Sequence, residues 1–369
     1  MRVKSLNISN LRNIESTHLD IDPCLNCFIG DNGAGKTSVL EALAVLSKGR
    51  SFRSGQVSSL IGSKSNKLQI VATIDSEAGV SHQVGMERGS DHWTARHNGE
   101  DLSQLSELTQ LLPHVLLEPG SHTLVSGPPD TRRKYLDWGV FHVEHGFLLL
   151  WRRYNRVLKQ RNAALRQSNA MVVESLDPQF IELGEQLHQS RQRHAELLNA
   201  LLQQNLSKFN QTLEGVSLGY RKGWSGDSLA TAAELSSQRD YERGATGPGP
   251  HKADLYLTLG SLPAKERLSR GEQKAMTAAM IMAQAQLICE SGEKPVLMLD
   301  DLSSELDELH LGKVLKAGLD LGVQIWLTGT HLAPAISACG SSYTVFHVEH
   351  GNVSMAGTQP VENAEKTGI

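Results

Sequence analysis

Hydrophobic and polar positions alternate near the start of the chain and recur with a longer period in its middle. Alternation within 3–8 and 14–19 predicts two strands, which flank a turn at 10–13. A second alternating stretch, 68–99, predicts an antiparallel sheet. Residues 135–209 contain almost no Gly or Pro and show helical periodicity, which predicts a compact helical insertion with arms too short for a long coiled coil.

Short apolar runs alternate with helical patterns in the rest of the chain. Leu25–Ile29 predicts a buried strand, and the spacing in 37–46 predicts a helix after it. The elements predicted towards the C-terminus are a strand at 253–259, a helix at 271–289, strands at 296–299 and 323–328, and a hairpin across 343–353 that turns at Gly351-Asn352. Prolines at 113, 119, 128 and 129 predict a loop-rich stretch. The pattern as a whole predicts an α/β fold.

These patterns divide the chain into two lobes and a tail. We expect an α/β lobe made of residues 1–134 and 246–358, interrupted by the helical insertion at 135–245 as a second lobe. Residues 359–369 are polar and are expected to be disordered. A chain of 369 residues, of which 39% are hydrophobic, is long enough for two such lobes.

Charge and cysteine content limit the cellular compartments and the binding partners that the protein can have. The net charge is −4, so any contact with DNA must come from local basic patches. The first residues lack an apolar signal core, and no apolar run reaches the roughly 18 residues that a membrane-spanning helix needs. Cys24 and Cys27 form a lone C-x-x-C without a second pair at metal spacing, which favours a buried Cys27 over a zinc ligand. These features predict a cytoplasmic protein with reduced cysteines.

A phosphate-binding pattern follows the run Leu25–Ile29. Its residues are Gly30, Asp31, Asn32, Gly33, Ala34, Gly35, Lys36 and Thr37, followed by Ser38, and they match G-x-x-x-x-G-K-[ST] in full. The glycines let backbone N–H groups surround phosphates, and the next helix presents its N-terminal dipole to the anion. We expect Lys36 to reach the β- and γ-phosphates of ATP and Thr37 to bind Mg²⁺.

Two adjacent carboxylates follow the apolar run at 296–299. Ligands bind at the carboxyl ends of strands in open α/β sheets, so Asp300 is placed to act on Mg²⁺, directly or through water. Asp301 is the candidate to orient or deprotonate the attacking water. A strand end capped by solvated acids is the alternative, and the P-loop upstream disfavours it.

A third pattern, made of Ser269, Arg270, Gly271, Glu272 and Gln273, precedes the long predicted helix. Ser269 and the backbone of Gly271 could form an anion site there, or Ser269 could be an ordinary helix cap, and both roles are compatible. The order of P-loop, Ser-x-Gly and paired acids resembles that of ABC-type ATPases. In that class the Ser-x-Gly pattern of one head closes on the nucleotide of another, and Ser304, Glu305 and Asp307 resemble the loop that contacts the partner head. The resemblance therefore implies an ATP-dependent head-to-tail homodimer.

Four further segments indicate which family of ABC-type ATPases the chain resembles. They are 10–14, 126–137 with G-x-P-x-x-R-R, 158–163, and 249–254 with G-P-H-K-x-D. Together with the three ATPase patterns they resemble, over nearly the whole chain, the RecF family of bacterial recombination mediators.

The resemblance implies an ABC-type ATPase head related to SMC heads, with an inserted helical lobe. It implies that the chain binds ATP and Mg²⁺, dimerises on ATP, and hydrolyses ATP slowly with stimulation by DNA. It also implies gapped, single-strand/double-strand DNA as a partner, RecR and RecO as co-workers, and loading of RecA in repair, replication restart and the SOS response. Arg12 and Asn13 would lie beside the nucleotide.

The sequence departs from the related patterns at three points. The stretch 115–120 has no glutamine where heads of this class usually carry one, so the residue that senses the γ-phosphate stays open. Glu272 stands where the family often has glutamine. The switch residue after the strand at 323–328 is His331, with Thr328 and Thr330 as alternatives.

Basic residues concentrate in the predicted helical lobe. Arg152, Arg156 and Lys159 share a helical face and are candidates for DNA phosphate contacts, with a solvated helix face as the alternative. Arg132 and Arg133 lie upstream and have three possible roles: DNA contact, nucleotide contact or structure.

Two other classes of P-loop protein compete with the DNA-repair interpretation. A transport ATPase subunit would normally carry the missing glutamine and would not need a basic helical lobe. A P-loop kinase would lack the Ser-x-Gly pattern and the S-E-L-D loop.

Overall fold

The structure is a computed structural model, and it describes residues 2–53, 56–77, 79–302 and 306–359. The strands are β1 Arg2–Leu11, β2 Ile14–Asp20, β3 Leu25–Ile29, β4 Lys67–Asp75, β5 Ser81–Gly89, β6 Trp93–His97, β7 Glu100–Asp101, β8 His114–Leu117, β9 Val216–Arg221, β10 Asp254–Leu259, β11 Leu262–Pro263, β12 Val296–Leu299, β13 Ile325–Gly329, β14 Tyr343–Glu349 and β15 Asn352–Gln359. The helices are α1 Lys36–Lys48, α2 Leu105–Leu111, α3 Thr123–Ser126, α4 Pro129–Val143, α5 Phe147–Arg166, α6 Ala170–Phe209, α7 Leu229–Arg243, α8 Ala264–Arg267, α9 Arg270–Glu290, α10 Glu308–Asp320 and α11 Pro334–Ser337.

The described residues fall into two compact units. The first contains the residues up to 121 and those from 284 onward, and the second contains 122–283. The first unit has an antiparallel sheet of order β2-β1-β4-β5-β6-β7 and a second sheet of order β15-β14-β3-β13-β12-β8. In the second sheet all neighbours are parallel except β14 and β15, which form an antiparallel hairpin.

The parallel strands are apolar because both of their faces are covered. Every residue of β12 and β13 is buried, as are the first four residues of β3. Phe28 of β3 stacks on Phe346 with ring centroids 5.0 Å apart and lies 5.5 Å from Trp326. The carboxyl ends of β3, β12 and β13 therefore form one rigid edge, and the residues that follow these strands meet there.

Helix α1 connects the two sheets of the first unit. It buries Val39, Leu40 and Leu43 in one apolar cluster with residues of both sheets. Its last turn ends at Gly49, which has φ 67° and donates its N–H to the carbonyl of Val45 at 2.7 Å. Glycine adopts this left-handed conformation without steric cost, so the sequence stops the helix at this position.

The second unit is built from helices and one small sheet. Helix α6 is 40 residues long and packs against α5 and against the antiparallel sheet of order β11-β10-β9. This unit is larger than the insertion expected at 135–245. It starts earlier because it includes α3 and the whole of α4, and it ends later because β10 pairs with β9 and is followed by α8 and most of α9. Cross-strand pairing is not visible in a helical pattern, so the compact unit 122–283 extends beyond the lobe expected at 135–245, whose bounds stay a prediction.

Most predicted elements are present, and the differences have local causes. The first two strands, the sheet within 68–99, the strand at Leu25–Ile29 and the long helix are all confirmed. The final hairpin turns at His350-Gly351, one residue earlier than predicted, with positive φ at both positions. Strand β8 lies inside the stretch predicted to be loop-rich, at the edge of the parallel sheet. Gln359 ends β15, and the rest of the predicted tail lies outside the described residues.

Cys27 is fully buried in β3, as predicted. No group of three or more metal-ligating side chains occurs in the described ranges. Within those same ranges, no helix is long and apolar enough to cross a membrane.

Candidate nucleotide site

The P-loop occupies the turn between β3 and α1, and its glycines are required by its shape. Gly33 and Gly35 have φ values of 81° and 117°, which side chains rarely adopt. A Cβ atom at Gly30 would lie 2.0 Å from the carbonyl oxygen of Val348. The loop can therefore follow this path only with glycine at these three positions.

Two neighbouring segments brace the P-loop. The carbonyl of Ala34 accepts a hydrogen bond from the Asn13 amide at 2.9 Å and one from the backbone N–H of Gly351 at 2.8 Å. Lys36 is buried, and its ammonium group donates to the carbonyls of Gly30 and Asp31 at 2.7 and 2.8 Å. The lysine charge is thus held inside the loop that would surround a phosphate.

Three side chains converge under the loop. Oδ1 of Asp300 accepts hydrogen bonds from the hydroxyls of Thr37 at 2.8 Å and Thr328 at 2.7 Å, and the Thr328 hydroxyl in turn accepts from the N–H of Asp301 at 2.9 Å. Burial raises the pKa of Asp300, and the Thr328 and Thr37 hydroxyls oppose that rise. Hydroxyl and carboxylate oxygens are the donors that Mg²⁺ prefers, so Thr37 and Asp300 fit a magnesium site.

A cavity of about 900 Å³ opens above these groups. It is lined by Arg12, Asn13, Asn32, Gly33, Gly35, Lys36, Thr37, Ser38, Arg53, Ser59, Ile61, Ser63 and Asp301. Asp301 has φ 48°, an uncommon conformation for a residue with a side chain. Its side chain reaches the cavity wall beside the P-loop, where the sequence predicts a residue that acts on water.

Arg12 and Asn13 both line the cavity but have different contacts. The Arg12 guanidinium binds the buried carboxylate of Glu41 through two hydrogen bonds of 2.9 and 2.6 Å and also donates to the carbonyl of Ser59. The hydrogen bond with Glu41 raises the pKa of Arg12. Arg12 therefore fixes the wall of the cavity against α1, while Asn13 contacts the P-loop itself.

Two charged residues near the site were not predicted from the sequence. Arg53 lines the same cavity as the P-loop residues and belongs to a segment without a recognisable motif. Glu118 follows β8, next to Asp300, whose N–H donates to the carbonyl of Leu117 at 2.9 Å. Burial raises the pKa of Glu118 to about 7, and the charge of Asp300 adds to that rise while Arg53 opposes it. Glu118 lies in the stretch 115–120, where the missing glutamine was the one available signal.

The Ser-x-Gly pattern forms a capped helix start in the second unit. The carboxylate of Glu272 accepts from the backbone N–H of Ser269 at 2.8 Å and from its hydroxyl at 2.7 Å, and these bonds lower the pKa of Glu272. The glutamate found in place of glutamine therefore completes a capping box. Gln273 donates to the carbonyl of Leu268 at 2.9 Å, and Arg270 is exposed.

Gly271 differs from the glycines of the P-loop. Its φ is not positive, and a Cβ atom built on it would meet no atom within 4 Å. Glycine in the first turn of a helix is less favourable than alanine, and nothing in the described surroundings requires it. The open space above Gly271 suits a close approach by another molecule.

The predicted partner-contact loop is described only in part. Ser304 and Glu305 lie outside the described residues. Asp307 is the N-cap of α10, where it accepts from the N–H of His310 at 2.8 Å, and that bond lowers its pKa. This capping role accounts for Asp307 within the chain.

Of the switch candidates, Thr328 is the one that contacts the carboxylate at the site. Thr328 is fully buried and bonds Asp300, as described above. His331 is exposed, and its Nδ1 lies 3.1 Å from the hydroxyl of Thr330. These contacts favour Thr328 as the residue that couples β13 to the acid pair.

The basic residues of the second unit divide into two groups. Arg132 forms a two-bond ion pair with Asp254 at 2.8 and 3.0 Å, and Arg133 donates to the carbonyl of Ala253 at 2.7 Å. These contacts favour the structural role for both arginines. Arg152, Arg156 and Lys159 are exposed on one face of α5, as their spacing predicts.

Comparison with known proteins agrees with this architecture. Residues 2–353 match the family described as RecF/RecN/SMC N terminal domain. The DNA replication and repair protein RecF of Xanthomonas axonopodis pv. citri is 40% identical over 366 residues, which cover 97% of this chain and 100% of the relative. The protein of the same name from Stenotrophomonas maltophilia is 39% identical and covers 96% of this chain and 99% of its own length.

Solved structures show the same fold. The RecF-ATP structure of the recombination mediator protein in the RecFOR pathway has a TM-score of 0.86 at 23% identity and covers 96% of this chain and 98% of its own. An Smc head bound to the C-winged helix domain of ScpA has a TM-score of 0.59 at 14% identity, covering 99% of both chains. The predicted ABC-type, SMC-head-like α/β fold is thereby confirmed. Because a family match covers residues 2–353 and relatives about 40% identical match nearly the full chain, the chain belongs to the RecF family of DNA replication and repair proteins.

Proposed function

We propose that this chain is an ATP-dependent DNA-binding protein that acts at gaps, where single-stranded and double-stranded DNA meet. In this role it dimerises on ATP, works with RecR and RecO, and supports RecA loading, replication restart and the SOS response in the cytoplasm. The observation that carries the proposal is the contact between Thr37 and Asp300 beneath a complete P-loop. The proposed binding to DNA is supported by family membership and by the names of the relatives, which are replication and repair proteins.

The residues of the site have distinct roles in this proposal. The backbone N–H groups from Gly33 to Thr37, together with Lys36, bind the β- and γ-phosphates of ATP. Thr37 and Asp300 would hold Mg²⁺, which would supply positive charge to neutralise the phosphates during transfer to water. Asp301 orients the attacking water, and Thr328 fixes the Asp300 carboxylate through its 2.7 Å hydrogen bond. The result is a slow ATPase, stimulated by DNA.

A second copy of the chain completes the site. Ser269 caps its helix and Gly271 leaves open space above the first turn, so this surface can approach the phosphates bound by another chain. Arg152, Arg156 and Lys159 supply exposed positive charge for DNA phosphates and carry no sequence code.

Molecular mass in solution tests the proposal. Light scattering is measured with ADP and with a non-hydrolysable ATP analogue, each with and without gapped DNA. We expect a monomer with ADP and a dimer with the analogue, formed more readily on DNA. The variant Lys36→Met, which removes the phosphate-binding charge, should stay monomeric in all four conditions. A wild-type chain that stays monomeric throughout would overturn the dimer and the role of Ser269 and Gly271 in it.

A further inference from the structure

The small sheet of the second unit has one covered face and one exposed face. Leu218, Leu255 and Leu257 are buried on one side, which packs on α6. Ser217, Gly219 and Arg221 of β9 lie opposite Thr258, Tyr256 and Asp254 of β10, and this set forms the other side. We call the latter the outer face.

An aromatic ring lies flat on this outer face. A Cβ atom at Gly219 would be only 2.3 Å from Cζ of Tyr256, so the ring covers the backbone of Gly219. The guanidinium carbon of Arg221 stands 5.6 Å from the centre of the same ring. Tyr256 nevertheless keeps 40% of its surface exposed. The guanidinium thus lies over the ring, and both groups are exposed to solvent.

The motif at 249–254 lies at the end of this sheet and has one exposed side chain with a positive charge. Most of its members are held by internal contacts: the carbonyl of Pro250 accepts from Arg191 at 2.6 Å, His251 contacts Tyr154 and Thr246, and Asp254 binds Arg132. Lys252 is exposed, and its ammonium group makes no hydrogen bond or ion pair within the described part of the chain, although its backbone N–H donates to the carbonyl of Gly249. Its backbone lies beside Gly223, two residues beyond Arg221.

The charge on this surface is positive. Arg221 forms no ion pair among the described residues, and the carboxylate of Asp254 is neutralised by Arg132. Flat π groups beside unpaired cations are the elements that bind single-stranded nucleic acid, because bases stack on the ring and phosphates contact the cations. A duplex keeps its bases stacked inside and offers only phosphates to such a surface.

We propose that the outer face, through Tyr256, Arg221 and Lys252, binds the single-stranded part of a DNA gap by stacking a base on Tyr256. The inference rests on the proposed DNA-binding function and assigns the single strand to this surface, separate from the basic face of α5. Arg221 and Lys252 lie towards the same end of the sheet and contact successive phosphates on that side of the stacked base.

Binding to labelled oligothymidylate and to a duplex of equal length, measured by fluorescence anisotropy with the ATP analogue present, tests this assignment. Tyr256→Leu still covers Gly219 but removes the ring, and we expect it to weaken single-strand binding about fivefold or more. Duplex binding should change by less than about twofold. Tyr256→Phe keeps the ring and should bind as the wild type does. Arg239→Ala, which removes an exposed arginine of α7, is the charge control.

A double variant and a crosslink make the test independent of the tyrosine's structural role. Arg221→Gln with Lys252→Gln should reduce the salt dependence of single-strand binding by about 0.7 for each phosphate that is no longer neutralised. An oligonucleotide carrying 5-iododeoxyuridine should crosslink to the peptide that contains Tyr256. Unchanged single-strand affinity in Tyr256→Leu, or a fall only in the ATP-dependent dimer mass, would overturn the inference. Failure of the wild type to bind either DNA would instead overturn the proposed function itself.

Discussion

The hydroxyl of Thr37 donates a 2.8 Å hydrogen bond to Oδ1 of Asp300, although 263 positions separate the two residues in sequence. The contact exists because β3 and β12 both lie next to β13 in a parallel sheet, so their carboxyl ends share one edge. The start of α1 and the end of β12 are thereby joined at the point where phosphate and metal would meet.

Replacing Asp300 by asparagine should separate ATP hydrolysis from ATP binding. The amide keeps the size of the side chain and can still accept from Thr37 and Thr328, but it lacks the charge that Mg²⁺ requires. We expect Mg²⁺-dependent ATP turnover to fall at least about a hundredfold, because metal stabilisation of the transferred phosphoryl group is worth several kcal/mol. ATP affinity should change less, since the P-loop is intact.

Lys36→Met is the matched comparison, because it damages the phosphate cradle and leaves the acid pair in place. Its nucleotide affinity should fall together with its turnover. If Asp300→Asn hydrolyses ATP at the wild-type rate, Asp300 does not hold the metal.

The parts of the site that lie within one continuous motif could be predicted from the sequence. The P-loop from Gly30 to Thr37 follows a strand and opens a helix, and the pair Asp300-Asp301 ends an apolar run, so each needed only local information. Thr328 was one of three switch candidates, because its contact with Asp300 depends on the order of strands in the sheet. Glu118 was missed for the same reason.

Charge patterns were less informative than spacing. Arg132 and Arg133 have the composition of a DNA-binding cluster, yet Arg132 pairs with Asp254 more than a hundred residues away. The sequence does not reveal this partner, because 122 positions separate the two residues and several helices lie between them. The two motifs at 126–137 and 249–254 bind one another through this pair, which neither motif predicts by itself.

Gly271→Ala distinguishes a structural glycine from a contact glycine. A methyl group there meets no atom within 4 Å, and alanine favours a helix by about 0.5–1 kcal/mol over glycine, so the variant should be at least as stable as the wild type. If a second chain brings its nucleotide close to this turn, the methyl group should still reduce ATP-dependent dimerisation. Thermal unfolding and light scattering measure the two effects.

Gly49→Ala is the control for this substitution, because Gly49 has φ 67° and a Cβ atom there would lie 2.5 Å from Leu105. It should lose stability. A Gly271→Ala variant that dimerises normally on the ATP analogue would count against contact between Gly271 and a partner chain.

Breaking the pair of Arg132 and Asp254 should destabilise the protein strongly. Their side chains are only 11% and 15% exposed, so removing either one leaves a poorly solvated charge without its partner. Arg132→Ala and Asp254→Ala should each lower the free energy of unfolding by about 3 kcal/mol. The double variant should cost less than the sum of the two, by about 2 kcal/mol, because no charge is left unpaired.

Urea unfolding followed by tryptophan fluorescence checks this cycle. The control is Arg193→Ala, since Arg193 pairs with Glu144 but is 57% exposed, and we expect a loss of less than about 1 kcal/mol. If the losses of unfolding free energy in the two single variants add up to the loss in the double variant, the two residues do not act as a pair. If Arg132→Ala greatly weakens DNA binding without loss of stability, Arg132 contacts DNA and is not a structural residue.

His251 should make the stability of the fold depend on pH. Its Nδ1 lies 2.8 Å from the Tyr154 hydroxyl and its Nε2 lies 3.1 Å from the carbonyl of Thr246, a pattern that suits a neutral ring with the proton on Nε2. Burial lowers the pKa of His251 to about 4, and the nearby charges of Lys252, Arg133 and Arg191 act in the same direction while the bond to Thr246 opposes it.

The unfolded chain takes up this proton near its ordinary pKa of 6.5, whereas the folded chain does so only near 4. Between these values the unfolded state binds more protons, so stability is full above about pH 6.5 and is lost as the pH falls towards 4. The loss from this residue is at most about 3 kcal/mol. His251→Gln removes the titrating group, so its unfolding free energy, although lower at neutral pH, should fall less steeply over this range. His145→Gln, at an exposed position, should keep the wild-type slope. If His251→Gln also keeps that slope, the buried ring is not what couples this fold to pH.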